Sequence, residues 1–121
     1  MVIFDTNALL RYILQDNKEM ADKVEVQIKQ NKCFVPTEVL AEMVYVLSKV
    51  YKIPKTDIAA AIIGVLSIDN VTTANFDVIV KGFEAYTGTN LDFVDCLMAG
   101  YQDEGHMIFT FDKKLTAYLQ Q

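Results

Sequence analysis

The sequence predicts the α/β class, a parallel sheet sandwiched by helices. Two observations predict it: short β-type runs alternate with longer stretches of helical apolar periodicity, and no repeat, low-complexity tract or linker interrupts them. Val2-Ile3-Phe4 gives the first strand (2–4), followed by helices over 8–14 and 18–29. Cys33-Phe34-Val35 gives the second (33–35). Pro36 follows it at a helix start, where a missing N–H costs nothing, so the next helix covers 37–51. Pro54 plays the same part for the helix over 55–66, and Val71-Thr72-Thr73 forms the third strand (71–73). A helix over 77–86 comes next. Asn90 or Asp92 can cap the helix over 93–104, and Gly105 can end it in a left-handed conformation before a fourth strand at 107–110. The last helix covers 113–119.

With 121 residues, 52% of them hydrophobic, the chain has the size of one domain, about 100–150 residues, and is expected to form a single domain over 1–121. The longest apolar stretch, 59–68, is too short for a membrane span, and Met1-Val2-Ile3-Phe4-Asp5 lacks the basic region of a signal peptide. The expectation is a soluble, cytoplasmic protein. Cys33 and Cys96 lie in apolar surroundings without metal-type spacing and read as buried free thiols. The net charge of −5 excludes general attraction to phosphate backbones, so any nucleic-acid role must be local. Basic residues are ten lysines and one arginine, Arg11, with no basic block.

Four acids carry the candidate chemistry: Asp5, Glu42, Asp95 and Asp112, each in an apolar or strand-like setting. Asp5 and Asp112 follow strands, and in open α/β sheets ligands bind outside the carboxyl ends of strands. Glu42 and Asp95 lie on helices that can point at the same end. Converging carboxylates repel, by about 4 kcal/mol per pair at about 4 Å for an effective dielectric near 20, and a divalent cation removes that cost. An all-oxygen donor set selects Mg²⁺ or Mn²⁺ over Zn²⁺. One or two such ions suit phosphodiester hydrolysis.

Each acid also has a plain structural reading. Asp5 and Asp112 could be helix caps, Asp92 is read mainly as a cap and Asp95 mainly as a ligand. Glu42 could be a solvated residue on the polar edge of its helix, and Lys113 and Lys114 could be solvated surface or phosphate contacts.

Taken as an ordered set, Phe4-Asp5-Thr6-Asn7 with Leu9-Leu10-Arg11-Tyr12, Glu42-Met43-Val44-Tyr45-Val46-Leu47, Leu91-Asp92-Phe93-Val94-Asp95-Cys96-Leu97-Met98-Ala99 and Thr110-Phe111-Asp112-Lys113-Lys114-Leu115 resemble a PIN-domain ribonuclease of the VapC toxin type over nearly the whole chain. The resemblance implies a three-layer α/β/α sandwich whose central parallel sheet has four strands, and an acid cluster that binds Mg²⁺ or Mn²⁺ to hydrolyse RNA. Many members continue into a fifth, edge strand, whereas this sequence ends at Leu119-Gln120-Gln121, so the fifth strand stays open. Position by position, Asp5, Glu42, Asp95 and Asp112 match the metal-site acids, while Thr6, Asn7, Thr110 and, secondarily, Asp92 match accessory polar positions. Arg11, Lys113 and Lys114 are the basic residues near the motifs and the candidates for RNA contact. The resemblance also implies a homodimer and a cognate antitoxin protein, with toxin-antitoxin pairing as the biological setting.

Other schemes fit poorly. His106 has no Ser or Cys partner at a nucleophile turn and reads as structural or solvated, and the glycines lack phosphate-loop spacing. A second function class remains: a PIN-like binding or scaffold module whose acids hold a structural ion or a partner's basic tail. Its motive is the acidic surface together with Ile58, Ala59, Ile62, Ile63 and Leu66, an apolar helix face that could serve a homodimer contact or the core.

Overall fold

A computed structural model describes all residues, 1–121, as three strands and seven helices in two compact units, Met1–Ala74 and Asn75–Gln121. The first unit holds the sheet. Strands β1 (Val2–Ile3), β2 (Cys33–Val35) and β3 (Val71–Thr73) lie parallel in the order β1-β2-β3, with Val2 opposite Cys33 and Cys33 opposite Val71. Parallel pairing needs long crossovers, and here each contains two helices: α1 (Thr6–Leu14) and α2 (Lys18–Gln30), then α3 (Thr37–Lys49) and α4 (Lys55–Leu66). Thr72 and Thr73 add hydroxyl bonds to the Cys33 and Val35 carbonyls, at 3.1 and 2.8 Å.

Pro36 and Pro54 each stand one residue before their helix with φ near −60° and ψ near 150°, and their carbonyls accept from the first turns. Leu9, Leu10, Val35, Leu40, Met43, Leu47, Ile58 and Ile62 are buried in this unit. The apolar residues of α4 are therefore spent on the core: Ile58, Ala59, Ile62 and Leu66 are buried and Ile63 is half-buried. That removes the reason for assigning this face to a homodimer contact.

The second unit is helical, built from α5 (Phe76–Gly88), α6 (Phe93–Asp103) and α7 (Lys113–Leu119). Asn75 caps α5 by accepting from the Val78 N–H (3.1 Å) and donates its amide to Glu104 Oε1 (2.7 Å). Phe83, Tyr86 and Phe93 pack ring against ring, with Phe83 and Phe93 centroids 4.5 Å apart. Gly82 and Gly100 permit the close approach of α5 and α6. Gly105, at φ 99°, ends the α6 segment in the left-handed region as expected.

The expected fourth strand does not form: the sheet has three strands, and residues 107–110 belong to none. Met107, Phe109 and Phe111 are 91%, 82% and 90% exposed. Ile108 and Thr110 between them are only half-buried, and a strand exists only through pairing.

Gly100→Ala tests the packing of α6 on α5. Its Cβ would lie 2.6 Å from the Val78 carbonyl oxygen and 2.8 Å from the Val78 Cα, both backbone atoms. We expect a loss of about 1–3 kcal/mol in denaturant unfolding, and more than for Gly82→Ala, whose nearest obstacle is the movable Leu97 Cδ2 at 2.9 Å.

Candidate functional site

In the first unit, Asp5 leaves the end of β1 as the N-cap of α1, its Oδ1 accepting from the Ala8 N–H at 2.8 Å. Its carboxylate is exposed. One cap bond occupies one oxygen, so capping and metal ligation are compatible at this residue. Thr6 is half-buried as the first residue of α1, and Asn7 beside it is exposed. Glu42 sits on α3 between buried Leu40 and buried Met43 and Val44, and is itself exposed.

Arg11 is committed within the protein. Its Nη1 bonds Asp16 at 2.7 Å and its Nη2 donates to the Tyr51 hydroxyl at 3.1 Å, while Nε is buried without a partner. These bonds tie the end of α1 to the residues after α3, next to Gln15 and Lys52, the two non-glycine residues with left-handed backbone. Arg11 is thus a fixed group rather than a free phosphate-binding cation. A cavity of about 230 Å³ adjoins Asp5 and is lined by Asn7, Ala8, Arg11, Met20, Lys23 and Val24. Nothing in the sequence signals the approach of Met20 and Lys23 to Asp5.

In the second unit, Asp112 caps α7, accepting from the Leu115 N–H at 2.8 Å, and its own N–H donates to Thr110 Oγ1 at 3.0 Å. Thr110 therefore orients the backbone that presents Asp112. Asp92 occupies the N-cap position of α6, but its side chain makes no cap bond, contrary to the expectation from sequence. Instead it acts on Asp95 in the first turn. Burial, followed by the charges of Asp112 and Asp92, pushes the Asp95 carboxyl above the usual carboxylate range. Asp92, Asp95 and Asp112 thus lie within electrostatic reach of one another. Lys113 and Lys114 are exposed beside them. His106 is solvated, with its ring near Tyr101. Cys33 and Cys96 are buried free thiols.

No group of three or more His, Cys, Asp or Glu side chains is arranged as a ready metal cage. Within the second unit the donor chemistry suits a hard cation: Asp112 keeps an oxygen outside its cap bond, and positive charge would relieve the crowding at Asp95; within the first unit Asp5 likewise keeps an oxygen outside its cap bond.

Two substitutions separate these effects. Asp112→Asn should leave metal-free stability nearly unchanged because Asn also caps, whereas Asp112→Ala should cost about 0.5–2 kcal/mol in denaturant unfolding. Because the Asp95 pKa is raised on folding, its ionisation opposes the fold: that residue's contribution improves as pH falls through its raised range and worsens above it. Asp95→Asn should accordingly melt about 1–3 °C higher than wild type at pH 7 without metal, a gap that closes below about pH 4. Equal melting temperatures at pH 7 would contradict the crowding.

A PIN domain profile matches residues 2–118, a span that includes all of the acids named above and takes in parts of both units. No curated protein and no solved structure matches the chain. The chain belongs to the PIN-domain family.

Proposed function

We propose that the protein is a metal-dependent endoribonuclease of the VapC type, the toxin of a toxin-antitoxin pair. The observation that carries this reading is the family match over residues 2–118, since PIN domains are generally nucleases that use Mg²⁺ or Mn²⁺. The ordered acids Asp5, Glu42, Asp95 and Asp112 support it. They would hold one or two ions, with Thr6, Asn7, Thr110 and Asp92 as accessory groups. A bound ion would supply an acidified water and neutralise charge on the scissile phosphate. The chain's own part is positional: cap bonds from Ala8 and Leu115 fix the Asp5 and Asp112 carboxylates. Lys113 and Lys114, free of the pairing that occupies Arg11, would meet the RNA backbone. A single PIN-like domain, cytoplasmic, homodimeric and silenced by a cognate antitoxin, completes the proposal. No helix is long and apolar enough to cross a membrane.

The test is cleavage of a mixed small-RNA pool with Mn²⁺, with Mg²⁺ and with EDTA, beside Asp5→Asn prepared identically. We expect metal-dependent cleavage that falls at least about 100-fold in the variant, whose Asn still caps α1. Equal turnover in Asp5→Asn would sink the reading. Absence of cleavage, with Mn²⁺ still raising the melting temperature, would favour a PIN-like binding module.

A further inference from the structure

We propose that Arg11 and Tyr51 form a clamp that sets the spacing of Asp5 and Glu42, which makes Arg11 a positioning residue for a cation held by those two acids; this rests on the metal-dependent reading above. Both acids and both clamp residues belong to the first unit. Strands β1 and β2 are parallel neighbours, so α1 and α3 start at the same end of the sheet, and the two helices pack on each other. Asp5 caps the start of α1, and Glu42 lies in the second turn of α3. Arg11 stands near the far end of α1, and Tyr51 lies just past the far end of α3. Pairing of β1 with β2 therefore fixes the helices at one end and the clamp fixes them at the other. Held at the strand end alone, α1 could pivot on α3 and part the acids.

The clamp is tied into both helices. Arg11 Nη1 bonds Asp16 at 2.7 Å and Nη2 donates to the Tyr51 hydroxyl at 3.1 Å. Its side chain is 18% exposed, and its buried Nε has no partner, so the group is held out of water at a desolvation cost. The Tyr51 N–H donates to the Val46 carbonyl at 3.2 Å, and the Ile53 N–H reaches back to the Leu47 carbonyl at 3.0 Å, so the Tyr51 backbone moves with α3. On the other side, the Gln15 N–H donates to the Arg11 carbonyl at 3.0 Å and its amide to the Tyr12 carbonyl at 2.7 Å. Gln15 and Lys52, at φ 55° and 56°, flank the clamp in left-handed conformations. Such strain persists where the surroundings over-determine the backbone.

Charge and position have opposite effects here. The guanidinium lines the same cavity as Asp5, and a positive charge there disfavours a second cation. If Arg11 acted only through charge, removing it would tighten cation binding at Asp5. If it acts as a clamp, removing it loosens that binding, and Tyr51→Phe, which changes no charge, does the same.

The test titrates Mn²⁺ into wild type, Arg11→Met, Tyr51→Phe and the double variant, followed through broadening of the amides of residues 6–8 and of Glu42. Melting curves verify that each variant is folded at the working temperature. We expect Mn²⁺ binding about fivefold or more weaker in each single variant, and the double variant within about twofold of the singles, because one clamp is lost only once. With an RNA that wild type cleaves, at saturating Mn²⁺, kcat should fall about tenfold while KM stays within about twofold. Tighter binding by Arg11→Met with no change in Tyr51→Phe would reduce Arg11 to a charge and overturn the clamp. Unchanged binding in both folded variants, beside a wild type that cleaves, overturns the clamp alone. Binding weakened in both variants of a protein that cleaves nothing supports the clamp and sinks the ribonuclease reading. Absence of Mn²⁺ broadening at residues 6–8 and Glu42 of wild type overturns the clamp together with the assignment of a cation to these two acids.

Discussion

Carboxylates held at helix N-termini are the constraint on which the candidate chemistry depends. Asp5 and Asp112 cap α1 and α7, Asp92 stands at the cap position of α6, and Asp95 lies in that helix's first turn. Free N–H groups and the helix dipole stabilise negative charge there, which lets a protein keep acids ionised where like charges gather. At Asp95 the two influences meet. The helix start favours its charge, but burial and the charges of Asp112 and Asp92 outweigh that, and the net direction is upward. A carboxylate in that state has more to gain from a cation than a solvated one. Glu42 differs, being carried mid-helix on α3 and fixed by the packing of Leu40, Met43 and Val44.

Local signals made much of this legible in the sequence. The helices over 55–66 and 113–119 have the expected bounds, because Pro54 and Asp112 mark their starts. Overshoot occurred where no breaker stands: α3 ends at Lys49, and Lys52 takes a left-handed conformation without being glycine or asparagine. The fourth strand failed for another reason. Met107, Phe109 and Phe111 alternate as a strand would, yet pairing is a tertiary property that no local pattern contains.

The site divides in the same way. Capping by Asp5 and Asp112 could be read from spacing, but Asp92 occupies the right position and makes no cap bond, a difference for which the surrounding contacts offer no account. The fixing of Arg11 by Tyr51 spans 40 residues and could not be read at all. This long-range contact changes the meaning of the only arginine, from a free cation to an immobilised group.

The proposed function assigns a divalent cation to the acids Asp5, Glu42, Asp95 and Asp112. The most direct measurement is an amide NMR titration with substoichiometric Mn²⁺, whose paramagnetism broadens nearby signals. The account predicts early broadening at the starts of α1, α6 and α7 and around Glu42 in α3, competed away by Mg²⁺. Broadening spread evenly over exposed acids such as Asp22, Glu25 and Asp57, with none concentrated at those positions, would contradict it.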